Sequence, residues 1–362
     1  MISPFLNACS TDDLPAAAET PLETTQGGPI TSTDTPLKPT QVEPVVLTDT
    51  PSPAQTEGAK SDSARIAFVK TQDRADGVHR AVDLLGVNPV GGKCVFLKPN
   101  FNSADPAPGS THPAVLRALI LKLQGMGAAA ISLGDRSGMG NTREVMRSIG
   151  VFDLAEELRF ETVVFDELGA EDWVMIQPQD SHWEVGFPFA RPCLEAEALV
   201  QTCCLKTHQY GGHFTMSLKN SVGMVGKIIP GNNHNFMEEL HASQHQRAMI
   251  AEINIAYTPA LIVLDGVEAF VSQGPANGKR VTSEVVLAGT DRIAIDAVGV
   301  ALLRHFGNKT HVAEGPIFQQ NQIARAVELG LGIDGPEKIE FITGDPDSAA
   351  YAEKIKDILL EF

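Results

Sequence analysis

The chain has 362 residues, 43% of them hydrophobic and 20% charged, the balance of a globular protein with an extensive core. Its formal net charge of -17 excludes a broad basic surface for nucleic acid but leaves room for one cationic pocket. No apolar run approaches the roughly 20 residues of a membrane-spanning helix.

Residues 1–63 read as a Thr/Pro-rich disordered tether. Between 10 and 63 there is no aromatic side chain, and nine acidic residues stand against two lysines, Lys38 and Lys60. Such a segment cannot bury enough apolar surface to offset the entropy of ordering it. Leu6-Asn7-Ala8-Cys9 resembles a bacterial lipobox, although no basic or apolar stretch precedes it. With a start codon assigned too late, the chain reads as a cell-envelope lipoprotein with a lost signal peptide, attached to the membrane through a lipid on Cys9. The other reading is a plain tail on a cytoplasmic protein.

Residues 64–362 read as one α/β domain, or as two subdomains split near 190–260. Arg65–Lys70 is a short strand, and Gly77–Leu85 has helical spacing. Cys94–Leu97 is a second strand, ending in Lys98-Pro99-Asn100. Pro113 opens a helix to about Gln124, with proline well placed in the first turn. Ala128–Leu133 is a third strand, broken by the glycine loop that starts at Gly134-Asp135, and Thr142 begins the next helix. This alternation predicts a mostly parallel sheet with helices on both faces. Glu161–Phe165 reads as a strand, and the pattern around Trp173 and Trp183 predicts a small antiparallel insertion near 160–190.

Ala198–Lys227 is the most informative stretch. An apolar strand ends in Lys206-Thr207-His208, the pair Gly211-Gly212 follows, and Thr215–Asn220 reads as a helix start. The unpaired N–H groups of a helix's first turn attract negative charge. Further on, Gln244–Tyr257 reads as a helix and Leu261–Leu264 as a strand ending at Asp265-Gly266. Val271–Gly278 reads as a loop, Val285–Ala288 as a strand, and a helix follows from Arg292, with Asp291 as its N-cap. Polar, glycine-flanked groups thus follow strands at Lys98–Asn100, Asp135, Lys206–His208 and Asp265. In open parallel sheets such positions converge on one crevice.

Lys98, Asn100, Lys206, Lys219 and Asn220 are the expected contacts for an anionic ligand, and His208, Asp265 and Asp135 the expected catalytic groups. His208 and His213 flank the glycine pair and, with His234, could form a divalent-metal set. His241 and His245 share a helix face but lack the glutamate of a zinc-protease helix. The five cysteines include no C-x-x-C, so cluster and zinc-ribbon spacings are missing. The vicinal Cys203 and Cys204 read as buried small hydrophobes, or as a redox pair.

Taken together, Lys98-Pro99-Asn100, Thr111-His112-Pro113, Gly134-Asp135, Lys206-Thr207-His208, Thr215–Asn220, Asp265-Gly266 with Gly274-Pro275, and Asp291 with Asp296 resemble the bacterial and archaeal family called "domain of unknown function 362". The resemblance spans about 65–335 and implies the fold and the location of the site, not a reaction. Many relatives carry an added iron–sulfur domain with clustered cysteines, which this sequence does not show. Two functions compete: an enzyme for a small carboxylate or phosphate, with or without a metal, and a non-catalytic metal- or anion-binding lipoprotein.

Overall fold

The computed structural model describes residues 63–210 and 213–361. The tether, its Cys9 and the Gly211-Gly212 pair lie outside the described residues. The strands are β1 (Ala64–Lys70), β2 (Cys94–Lys98), β3 (Ala130–Asp135), β4 (Glu161–Val164), β5 (Trp173–Ile176), β6 (Phe187–Ala190), β7 (Ala198–His208), β8 (His213–Thr215), β9 (Pro259–Gln273), β10 (Gly278–Gly289) and β11 (Ile339–Ile342).

Nine of them form one sheet in the order β11-β1-β10-β9-β7-β2-β3-β4, with β8 paired to β7. The pairs β11/β1, β9/β7, β7/β2, β2/β3 and β3/β4 are parallel. The pairs β1/β10 and β10/β9 are antiparallel. The fold is therefore α/β with a mostly parallel sheet. The small antiparallel insertion is also present, as the hairpin of β5 and β6.

Helices cover both faces, as buried apolar strands require. The helices Arg74–Leu85 and Pro113–Gly125 pack on one face, around Val82, Leu97, Leu119 and Val263. The helix Arg292–His305 packs on the other, around Phe68, Leu205, Leu264 and Leu287. Both tryptophans lie in a third cluster under the insertion, with Phe187 and Phe189. Among the described residues, no helix is long and apolar enough to cross a membrane.

Three segments differ from the sequence reading. β9 does not stop at Asp265-Gly266 but runs on to Gln273 and pairs with β10 as a long hairpin. Thr215 closes β8, and the helix after it is only Ser217–Asn220, continued by a 3-10 turn, Ser221–Met224. The helix expected over Gln244–Tyr257 is the shorter Gln246–Ile253.

Candidate functional site

From β2 the chain proceeds to β3 and β4 on one side, then returns to place β7 on the other. That reversal opens a crevice beyond the carboxyl ends of β2 and β7. Lys98 ends β2, Asp135 ends β3 and His208 ends β7, and all three line a cavity of about 240 Å3. Asn100, Lys219 and Asn220 line it as well. Of the residues expected to touch an anion, only Lys206 is not in the wall.

The floor of the cavity is a closed ionic unit. Lys98 Nζ lies 2.7 Å from Asp135 Oδ1, and both side chains are buried. Nζ also donates to Pro99 O at 2.6 Å and to Asn220 Oδ1 at 3.2 Å. Asp135 accepts the backbone N–H groups of Phe101 and Arg136, each at 2.7 Å. Asn220 Nδ2 donates to Lys98 O and Thr202 O, so its amide is occupied by the fold. Burial pushes the Lys98 ammonium below its ordinary range and the Asp135 carboxyl above it, each opposed by the other's charge. Gly223 lies against this pair: a Cβ there would sit 2.7 Å from Lys98 Nζ and closer still to Asp135 Oδ1.

Lys206 stands behind the wall. Its Nζ donates to Asn100 Oδ1 at 2.7 Å and to Gly109 O, so it orients Asn100, which does face the cavity. Arg136 is buried in the lining, and its guanidinium donates to Val225 O and Val222 O at 2.7 Å and to Ser137 O at 3.2 Å. These carbonyls satisfy its N–H groups without neutralising its charge.

Lys219 differs from the other two lysines. Its side chain is partly buried in the cavity wall and has no hydrogen-bond or ion-pair partner among the described residues. Burial, with the charges of Arg247, Lys206 and Arg136, lowers its ammonium to about 7. His208 is buried beside it and pushed down to about 2, by burial first and then by Lys219 and Arg247, so its imidazole is neutral. The lining thus holds Lys98, Arg136, Lys219 and Lys227 but one carboxylate, Asp135, already paired. Two polar atoms in the same wall, Asn102 Nδ2 and Thr215 Oγ1, are buried without a partner among the described residues. A second cavity of about 560 Å3 shares Tyr210 and His241 with the first and is lined further by His213, Gln244 and Arg247. Arg247 Nη2 donates to Tyr210 O at 2.7 Å, while Nη1 is buried and has no partner among the described residues.

The remaining expected groups stand elsewhere. Asp265 is buried inside β9, where it accepts from Arg74 Nε at 2.9 Å and from the Val267 N–H at 3.1 Å, outside the cavity wall. The first N–H groups of the helix Ser217–Asn220 are also taken. Ser217 N donates to Asp296 Oδ1 at 2.7 Å and Leu218 N to Asp296 Oδ2 at 3.2 Å, so a carboxylate of the fold sits where a ligand was expected. Asp291 does cap its helix, accepting from Ala294 N at 2.8 Å.

The histidines do not converge. His213 opposes His208 across β7 and β8, but its ring faces the larger cavity, and burial lowers it to about 4. His234 Nε2 contacts Glu239 Oε2 at 2.7 Å. His245 stacks on His182 with ring centroids 4.4 Å apart. Among the described residues, no three histidine, cysteine or carboxylate side chains are grouped to hold a metal ion. Among the described residues, His208, His213 and His234 are thus not grouped as metal ligands: His208 and His213 are cross-strand partners, while His234 contacts Glu239. Cys203 and Cys204 are buried thiols on opposite faces of β7. Burial pushes Cys204 up to about 12 and Cys203 well above the ordinary thiol range, so neither is a thiolate near neutral pH.

Arg136, Asn102, Thr215, Lys227 and Arg247 escaped the sequence reading. Arg136 had a signal, since it follows Asp135 in the same glycine loop. Thr215 also had one, two residues from His213 and four from Lys219. Arg247 sits on an ordinary amphipathic helix and carries no local mark.

A thylakoid-associated protein of Synechocystis sp. (strain ATCC 27184 / PCC 6803 / Kazusa) is 26% identical over 216 residues, 59% of this chain and 64% of that protein. The chain thus spans just under two thirds of that relative's length. The lactate racemase apoprotein from Thermoanaerobacterium thermosaccharolyticum superposes with a TM-score of 0.37 at 15% identity, covering 67% of this chain and 57% of that one. The model of the family described as Domain of unknown function (DUF362) matches residues 95–301, from β2 to the helix Arg292–His305, and takes in every side chain of the cavity wall; the chain belongs to this family.

Proposed function

We propose that the chain is an enzyme for a small anionic substrate, a carboxylate or a phosphate, bound in the cavity at the ends of β2, β3 and β7. The observation that carries this reading is the charge imbalance of the wall: four cations face one carboxylate, and that carboxylate belongs to Lys98. Asp166 acts on Arg136 and Lys227 from outside the wall, and no carboxylate acts on Lys219, so an anionic ligand would relieve the cost of holding that charge out of solvent. Asn102 Nδ2 and Thr215 Oγ1 supply hydrogen bonds that no described protein group takes. The volume, about 240 Å3, lies just below the range of roughly 300–1,000 Å3 usual for drug-sized ligands and fits a small acid.

In this reading Lys98 and Asp135 are a rigid floor rather than reactants, and Lys206 sets the Asn100 amide. Lys219 touches the substrate and changes protonation near neutral pH, as acid–base work requires. His208 offers a neutral imidazole beside it. No metal enters this account.

Thermal stabilisation tests it. Sulfate, phosphate and small mono- and dicarboxylates are added to the wild-type chain and to Lys219→Met. At least one anion is expected to raise the wild-type Tm by several degrees, with the shift lost in the variant. An unchanged Tm across the whole panel, or a shift that K219M retains in full, contradicts the reading.

A further inference from the structure

Resting on that reading, we infer that Lys219 is a covalent centre: its amine condenses with the carbonyl of a small oxo acid to form an imine. Three lysines surround the ends of β2 and β7, and their bonding differs. Lys98 is locked to Asp135, Pro99 O and Asn220. Lys206 is locked to Asn100 and Gly109. Lys219 has no partner among the described residues, and it lines the cavity. A lysine becomes a nucleophile when it is desolvated, kept from any carboxylate and placed near other cations. Lys219 meets all three conditions, and its ammonium is held at about 7 by burial, Arg247, Lys206 and Arg136. Lys227, also in the wall, is lowered by burial and by Arg136 as well, but the Asp166 carboxylate acts on it in the opposite sense, whereas no carboxylate acts on Lys219.

The oxo-acid class follows from the groups around that amine. The wall offers cationic charge for a carboxylate and two unpartnered donors, Asn102 Nδ2 and Thr215 Oγ1, for a carbonyl oxygen that gains negative charge. In the step itself the Lys219 Nζ lone pair attacks the carbonyl carbon and the C=O π pair moves to oxygen. That oxygen takes one proton from the former amine and a second, the net proton consumed, from hydronium in the solvent, and leaves as water. The nitrogen lone pair then closes the C=N bond. Amine, ketone and one proton give iminium and water, with no oxidant or reductant. The iminium is an electron sink for proton removal or bond cleavage at the neighbouring carbon.

The full chain is incubated with pyruvate and sodium borohydride, which delivers hydride to an imine carbon and fixes it as a secondary amine. Peptide mass spectrometry is expected to find one carboxyethyl group on Lys219. It should be absent without pyruvate, absent from Lys219→Arg, and suppressed by an excess of sulfate. K219R keeps a cation at the position and guards against misfolding as the cause of loss, and its retained far-UV circular dichroism is checked alongside. No adduct with pyruvate, glyoxylate or 2-oxoglutarate overturns the inference. So does labelling spread evenly over surface lysines. If trapping fails while sulfate still stabilises the wild-type chain through Lys219, the imine is wrong and the anion site stands. If both fail, the proposed function falls as well.

Discussion

Gly223 shows how tightly the floor of the cavity is specified at the level of one residue. Its backbone passes so near Lys98 and Asp135 that any side chain would meet both ends of the ion pair. An added methyl must push apart two buried, paired charges. Gly223→Ala is therefore expected to destabilise the chain by about 1–3 kcal/mol, the usual cost of overpacking. Thermal denaturation reads this as a Tm lowered by several degrees, and an unchanged Tm would show that the pair shifts freely. The same scale shows what sequence could reveal. Lys98, Asn100, Asp135, His208, Lys219 and Asn220 were legible because each sits where an apolar strand or a glycine turn ends, and all six reached the wall. Which lysine is bonded and which is free was not legible. That depends on Gly109 O, Asn100 and Asp135, groups brought from distant segments.

At the scale of the element, two errors of reading share one cause. Gly266 looked like a strand terminator, but it stands in mid-strand because a Cβ there would meet Val285 Cγ1 at 2.8 Å. The glycine serves close approach between β9 and β10, so Asp265 is an interior strand residue rather than a crevice residue. Likewise, the start of the helix Ser217–Asn220 carries a local signature, but nothing local says that Asp296 will occupy it from the helix Arg292–His305. That carboxyl has a measurable consequence. Burial raises it to about 7 in the folded chain, against the hydrogen bonds from Ser217 and Leu218, whereas in the unfolded chain it titrates near 3.8. Between about pH 4 and 7 the folded state thus holds a proton that the unfolded state has lost, so this group's contribution to stability falls as pH rises through that window and levels off above it. Asp296→Asn removes the titration. The stability of D296N relative to wild type is therefore expected to improve as pH rises from about 4 to about 7, followed as the difference in urea midpoints. A difference that is flat across this range would mean that Asp296 is ionised throughout.

At the scale of the whole molecule, the cavity exists only when the sheet is complete. Its wall draws on β2, β3, β7, β8 and the loops that follow them, on both sides of the point where the strand order reverses. The strand–helix alternation made that order partly legible. The antiparallel β9–β10 hairpin, which separates β1 from the parallel strands, was not, since each of its halves read as a separate short strand. Because the site is global, ligand binding is linked to global stability. Sulfate, which stays dianionic from weakly acidic to alkaline pH, isolates the protein's part of that linkage. A bound dianion favours the charged form of Lys219 and raises its pKa above the unliganded value of about 7. Affinity therefore increases as pH falls from that raised value to about 7, and it levels off below, where Lys219 is protonated with or without ligand. His208 and His213, pushed to about 2 and about 4, stay neutral throughout and add no slope. The sulfate-induced rise in Tm is thus expected to grow as pH is lowered from about 9 to about 7 in the wild-type chain. In Lys219→Met it should be small and flat. A wild-type profile that is flat, or that rises with pH, would place the responding charge on another side chain and remove Lys219 from the centre of the site.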